Sequence, residues 1–341
     1  MINNFFLKPH QFLMRFKDFK TLGENLILDN DKFIIENNKL EGSYESPIFK
    51  ATPFSELILS WGATTNKHNS VEVMVKVKVE DKWSKYFSYQ PWSFGTKNKS
   101  VDDFDNLAKL SVDELKVLDD KLGTHFQFKV ILRRNKISDV SSRLSLVSIT
   151  LKIPNYKYEV DDKLLPTIVD YEVPKLNQQR VSEIGNSICS PTSCTMMLMY
   201  KGEKLEGEQP HEHIAKLFYD HGNNMFGNWV FNTVGMSSYG YDSYVGRMYS
   251  FNELKYHLAK CGPIIVSVGG DLGVYKTNGH LLLVRGYKVL ENGKTLVIIN
   301  DPNINERFEK TYQDGMPLFV YYELPLEVFL EVWKGITYIV E

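Results

Sequence analysis

The pattern of apolar and polar positions changes character near residue 155. Before that point apolar residues recur with a period of two. The clearest run is Val71, Val73, Val75, Val77 and Val79, alternating with Glu72, Met74, Lys76, Lys78 and Glu80. Successive side chains of a strand point to opposite faces, so this run predicts a strand with one buried and one wet face. Residues 56–61, 126–132 and 144–153 read as further strands, separated by turns rich in Asn, Lys, Gly and Ser. Many short strands without long helices between them predict an antiparallel β-sandwich over residues 1–155.

The segment that follows carries Pro154, Pro166 and Pro174 and shows no helical period. It reads as a linker, residues 156–172, with an entry strand into a second domain over residues 173–341. A helix is predicted after Pro191 and another over residues 213–220. A third starts at Ser250, where Glu253 completes a capping-box pattern ahead of Leu254 and Leu258, and Gly262-Pro263 stops it. Strands follow at 264–268, 280–287 and 296–300. Helices first and strands later, without regular alternation, make the fold class α+β.

Composition narrows the function classes. A chain of 341 residues suggests two domains. With 40 basic and 42 acidic side chains there is no cationic excess to neutralise phosphates, so no nucleic-acid partner is expected. Apolar residues at 43% and charged residues at 24% argue against general disorder. Three cysteines, Cys189, Cys194 and Cys261, do not form a disulfide framework. The N-terminus carries no clear targeting signal, and the uncharged run at residues 184–200 is too short and polar to span a bilayer. The chain as written is expected to be cytoplasmic, with secretion left open.

Candidate chemistry gathers in the second half. A cysteine nucleophile must be partly thiolate, and a helix N-terminus favours that charge. Cys189 stands just before the predicted helix, with Ser190 as cap and Pro191 at the first helical position. The competing reading is a buried structural cysteine. Cys261 falls at a helix C-terminus, where free carbonyls disfavour a thiolate, and Cys194 lies inside the helix. His280 opens an apolar strand after a glycine, a setting that can aim an imidazole into a cleft. A turn at Glu291-Asn292-Gly293-Lys294 would return the chain so that Asp301 lies beside His280, with Asn300 as the substitute. Gln178 or Gln179, with the Cys189 N–H, would supply a two-donor oxyanion hole.

Other groups weigh less. His211, His213 and His221 lack a four-ligand metal spacing. The aromatic cluster from Trp83 to Phe94 reads as core before it reads as a sugar or peptide platform. Gly269, Gly270 and Gly273 mark a loop near the cleft, and no phosphate loop or dinucleotide fingerprint appears.

Several ordered segments resemble a known family. They are Val173-Pro-Lys-Leu-Asn-Gln, Cys189-Ser-Pro-Thr-Ser, Gly227-Asn-Trp-Val-Phe-Asn-Thr, Phe251-Asn-Glu-Leu-Lys, Gly262-Pro-Ile-Ile-Val-Ser-Val, Gly279-His-Leu-Leu-Leu-Val-Arg-Gly and Val297-Ile-Ile-Asn-Asp-Pro. In this order, over about residues 170–340, they resemble the peptidase-like domains related to bacteriocin-processing cysteine peptidases, family thirty-nine of the cysteine peptidases. The resemblance implies a papain-like fold with Cys189 as nucleophile, His280 as base, Asp301 as orienter and Gln178 as oxyanion donor. It implies a peptide or protein substrate and no cofactor or metal. The bacteriocin processors carry Cys-Gly-Pro at the nucleophile and a shorter gap from the glutamine, and double-glycine leader cleavage is not expected of this chain. The first half resembles the sandwich that precedes such domains in some relatives, with Ser60-Trp-Gly-Ala and Lys82-Trp-Ser-Lys-Tyr as landmarks, and is expected to help recruit substrate. The rivals are an acyltransferase or amidase with the same residues, and an inactive binding protein on the same scaffold.

Overall fold

The computed structural model describes residues 6–16, 23–303, 312–313, 316–317 and 321–341. Packing divides the chain into two units. The first is Met1–Asn155 with Tyr219–Arg247, and the second is Tyr156–Phe218 with Met248–Glu341. The segment 219–247, which the sequence pattern assigns to the second domain, therefore packs with the first.

The first unit is built on two antiparallel sheets. One runs in the order Phe6–Lys8, Gln11–Arg15, Arg143–Lys152, Glu56–Thr64, Glu114–Val117, Ala108–Ser111 and Asp103–Phe104. The other centres on Asn69–Val79 and Gly123–Arg134, paired from Val79↔Gly123 to Asn69↔Arg134. Val71, Val73, Val75, Val77 and Val79 are all at most 1% exposed, so the period-two face is the core face. On the opposite face Met74, Lys76 and Lys78 stay half-buried. Glu72 is drawn in on that side because Ser88 Oγ (2.7 Å) and Arg133 Nη1 (2.5 Å) donate to its carboxylate.

The returning segment forms the helix Trp229–Ser237 and the strand Ser243–Arg247. Asn228 caps the helix by accepting from the Phe231 N–H at 2.9 Å. Asp113 accepts from the Trp229 N–H at 2.7 Å, and the Val245 N–H donates to Ser60 Oγ at 3.0 Å. The Phe231 ring lies 4.9 Å from Trp92. These contacts explain why the segment counts with the sandwich.

The second unit has an antiparallel sheet in the order Trp333–Val340, Ile264–Asp271, Lys276–Val289, Thr295–Asn300 and Tyr321–Pro325. Ile168–Asp170 pairs with the far end of Lys276–Val289, so part of the expected linker is a sheet strand. Lys255 Nζ holds Asp162 at 2.7 Å, and the Tyr287 hydroxyl donates to the Pro166 carbonyl at 2.7 Å. Helices Cys189–Tyr200, Pro210–Phe218, Phe251–Lys260 and Leu326–Val332 complete the unit. Ser190 through Leu198 are all buried, the mark of a central helix rather than an amphipathic one. Ser250 accepts from the Glu253 N–H at 3.2 Å, but Glu253 reaches back to the Tyr249 N–H, one residue earlier than a capping box requires. The architecture is α+β, a β-sandwich followed by a papain-like helix-on-sheet domain. No described helix is long and apolar enough to cross a membrane.

Candidate active site

The central helix opens at Cys189 itself, and Ile188 precedes it without a side-chain cap. Ser190 is therefore not the cap. Its hydroxyl shares a 2.9 Å hydrogen bond with Tyr338, so it pins the first turn to the sheet. Pro191 is the third helical residue, still within the turn whose N–H groups have no intrahelical acceptor, so its missing donor costs nothing. Ser193 adds a second pin, donating to the Leu281 carbonyl at 3.2 Å. Cys189 is half-buried, Cys194 is buried in the same helix, and Cys261 is exposed just after Phe251–Lys260.

His280 lies on the strand Lys276–Val289, one position before Leu281. The hairpin that follows closes at residues 291–294, where Gly293 takes a φ of 79° that favours glycine. Its register pairs Leu283 with Asn300, which brings Asp301 back to within two residues of His280 along that strand. His280 Nε2 lies 2.8 Å from Asp301 Oδ1. With Nε2 so engaged, Nδ1 is the ring nitrogen left for the Cys189 thiol, and each group acts on the other's charge. Asn300 turns away and donates to the Val173 and Pro174 carbonyls at 3.2 and 3.3 Å.

Electrostatics favour charge separation between sulfur and imidazole. Burial pushes the Cys189 thiol up, but the His280 ring and the Leu281 and Ser190 N–H groups outweigh it and hold the thiol below its ordinary value. Burial alone would lower His280; the Asp301 carboxylate and the Cys189 sulfur override it and raise the ring to about 10. Both directions favour a thiolate–imidazolium pair over the neutral one.

Gln178 opens a short 3₁₀ turn, Gln178–Arg180, capped by Asn177. Its backbone N–H donates to the Pro302 carbonyl at 2.8 Å, which ties the turn to the Asp301 loop. Its Nε2 donates to the Gly185 carbonyl at 2.7 Å, leaving one amide N–H uncommitted by that bond. A Cβ at position 185 would sit 2.6 Å from the Gln178 carbonyl oxygen, so this close approach needs glycine. Gln179 donates to Asn303 Oδ1 at 2.6 Å.

The family described as Peptidase_C39 like family matches residues 171–339, and that described as Peptidase C39 N-terminal domain matches residues 36–151. The second half of the chain belongs to the Peptidase_C39 like family. Among solved structures, a candidate C39-like peptidase from Bacillus anthracis is similar at 15% identity and a TM-score of 0.35, covering 51% of this chain and 98% of that one. No curated protein matches the chain.

The C39-like domain also holds polar groups that local sequence patterns do not reveal. The Tyr275 and Tyr322 hydroxyls donate to Asp301 Oδ2 at 2.8 and 3.4 Å, and the Asn303 N–H donates to Oδ1 at 2.9 Å. Tyr275 sits in the glycine-bearing turn noted in the sequence; Tyr322 lies on a strand with no such marker. Of the candidate metal ligands, His211 is buried at the start of Pro210–Phe218, and burial lowers it. Among the described residues no group of three His, Cys, Asp or Glu side chains is placed to hold a metal. Phe87, Tyr89 and Trp92 lie in the sandwich core, whereas Trp83 and Tyr86 are half-buried around Lys76.

Proposed function

We propose that this protein is a cysteine peptidase acting through a Cys189–His280–Asp301 triad. The observation that carries the reading is the His280–Asp301 hydrogen bond at 2.8 Å to a buried carboxylate, with the Cys189 thiol at a helix N-terminus held low by the same His280 ring. Cys189, as thiolate, attacks a peptide carbonyl carbon. The oxyanion that forms accepts from the Cys189 backbone N–H and from Gln178 Nε2. His280 gives its proton to the leaving amine as the C–N bond breaks, leaving a thioester. Water then attacks the thioester carbon, His280 takes its proton, and the acid product leaves with the thiol restored. Asp301 orients the ring and stabilises its charged form. No organic cofactor or metal enters these steps. The sandwich would help to recruit the peptide or protein substrate.

Profiling on a diverse peptide library tests the reading. Wild-type protein is expected to cleave a subset of peptides, and Cys189→Ala and His280→Ala to lower kcat/KM by about 10³-fold or more. Mass spectrometry of the products separates hydrolysis from transfer to an added amine, because both would start from the same thioester. A thiol-directed electrophile should label Cys189 selectively near neutral pH and lose that selectivity in His280→Ala. Slow, equal labelling of Cys189, Cys194 and Cys261 would sink the proposal.

A further inference from the structure

Asp301 is fully buried, and a carboxylate out of water is costly unless both oxygens find donors. Oδ1 faces His280 and also accepts from the Asn303 N–H. Oδ2 depends on two phenols, Tyr275 at 2.8 Å and Tyr322 at the marginal distance of 3.4 Å. Tyr275 touches both members of the pair, because its ring also stands edge-on to His280, with centroids 5.9 Å apart at 85°.

A tight turn aims that side chain. The strands Ile264–Asp271 and Lys276–Val289 end on the pair Asp271↔Lys276. Between them Leu272 is buried, and its N–H donates to the Tyr275 carbonyl at 3.0 Å. Gly273, at a φ of 81°, donates to Asp271 Oδ1 at 2.9 Å. Burial first, and then the Asp301 charge, push the Tyr275 phenol well above its ordinary value, so it serves as a donor throughout the working range.

The geometry points to Tyr275 as a positioning residue whose hydroxyl holds the Asp301 carboxylate turned so that Oδ1 faces His280. This rests on the triad reading above and extends it to a residue that acts through Asp301. Losing the hydroxyl leaves Oδ2 with only the long Tyr322 bond, so the carboxylate is freer to turn away from His280. A carboxylate held less squarely stabilises the imidazolium less, and the imidazolium in turn holds the Cys189 thiol down less.

The test is the pH dependence of Cys189 alkylation by iodoacetamide, followed alongside peptide cleavage. Tyr275→Phe is expected to move the acid limb of alkylation upward by about one pH unit, since a hydrogen bond to a charged group is worth about that much. kcat should fall about tenfold with KM changed less than about twofold, the pattern of a lost transition-state contribution. Tyr322→Phe should move the same limb less. Tyr275→Leu, which also lacks the hydroxyl, carries the test if the phenylalanine variant does not fold. A folded Tyr275→Phe or Tyr275→Leu with the wild-type acid limb overturns the inference while leaving the triad intact. If wild-type Cys189 reacts no faster than Cys261, the triad reading falls and this inference with it.

Discussion

Cys189 and His280 titrate as a pair, and the signs of their shifts oppose each other. His280, raised to about 10, keeps a proton in the folded state that the unfolded chain releases near pH 6.5. Alone, that would give stability complete below about pH 6.5 and lost as pH climbs through the folded value. Cys189, held low, contributes stability present above its unfolded value and lost as pH falls through the folded one. Between these limits the folded pair holds its one proton on imidazole and the unfolded pair holds one on sulfur. The proton counts match, so the pair adds no slope to stability across neutral pH. Cys189→Ala removes the balancing half while Asp301 still holds His280 up. Its unfolding free energy should then fall with pH above about 6.5, by at most about 1.4 kcal/mol per pH unit. Urea unfolding at steps from about pH 6 to about pH 9 checks this against the flatter wild type. A flat profile in the variant would mean that Asp301 does not raise His280.

Elements differ in how much of them can be read from the chain. Val71 to Val79 announce their strand because one alternating face meets one core, and all five valines are buried. The helix Trp229–Ser237 gives no such warning. Its Trp-Val-Phe-Asn-Thr-Val run is rich in residues of modest helix propensity, and packing against the sandwich decides the outcome. The helix at Pro210–Phe218 begins three residues before the pattern suggests, because Pro210 can open a helix. The Cys189 and Asp301 positions are legible because each sits at a marked boundary, a helix start and a strand end; His280 is marked only by the glycine before it, since its strand begins at Lys276, four residues earlier than the pattern suggests. Tyr322 is not, since its partner lies at the end of the neighbouring strand, about twenty residues back in the chain, and nothing local records the contact. Gln178 lies between these cases, and its 3₁₀ turn depends on Gly185. Gly185→Ala must push the Gln178 backbone away from the 2.6 Å approach. A loss of about tenfold to a hundredfold in kcat is expected with little change in Tm, the pattern of a displaced oxyanion donor. Steady-state kinetics beside a thermal melt decide it, and unchanged kcat would free Gln178 from that role.

At the scale of the molecule, sequence family and packing unit do not share boundaries. The family match runs from residue 171 to 339 without a break, yet Tyr219–Arg247 packs with the sandwich. Val230, Phe231, Val234 and Val245 are buried there. Residues 156–341 expressed alone would leave these side chains without their sandwich partners. That fragment is expected to aggregate or to lack near-ultraviolet circular dichroism, and co-expression with residues 1–155 should restore soluble protein. A soluble, well-ordered fragment would show that the segment needs no sandwich. The interleaving also sets an order of assembly. During synthesis the sandwich cannot be finished until residue 247 has left the ribosome, by which time the helix bearing Cys189 has already emerged. Swapping such halves between proteins therefore requires a cut on both sides of residues 219–247, and a fusion at residue 155 alone would transplant an incomplete piece.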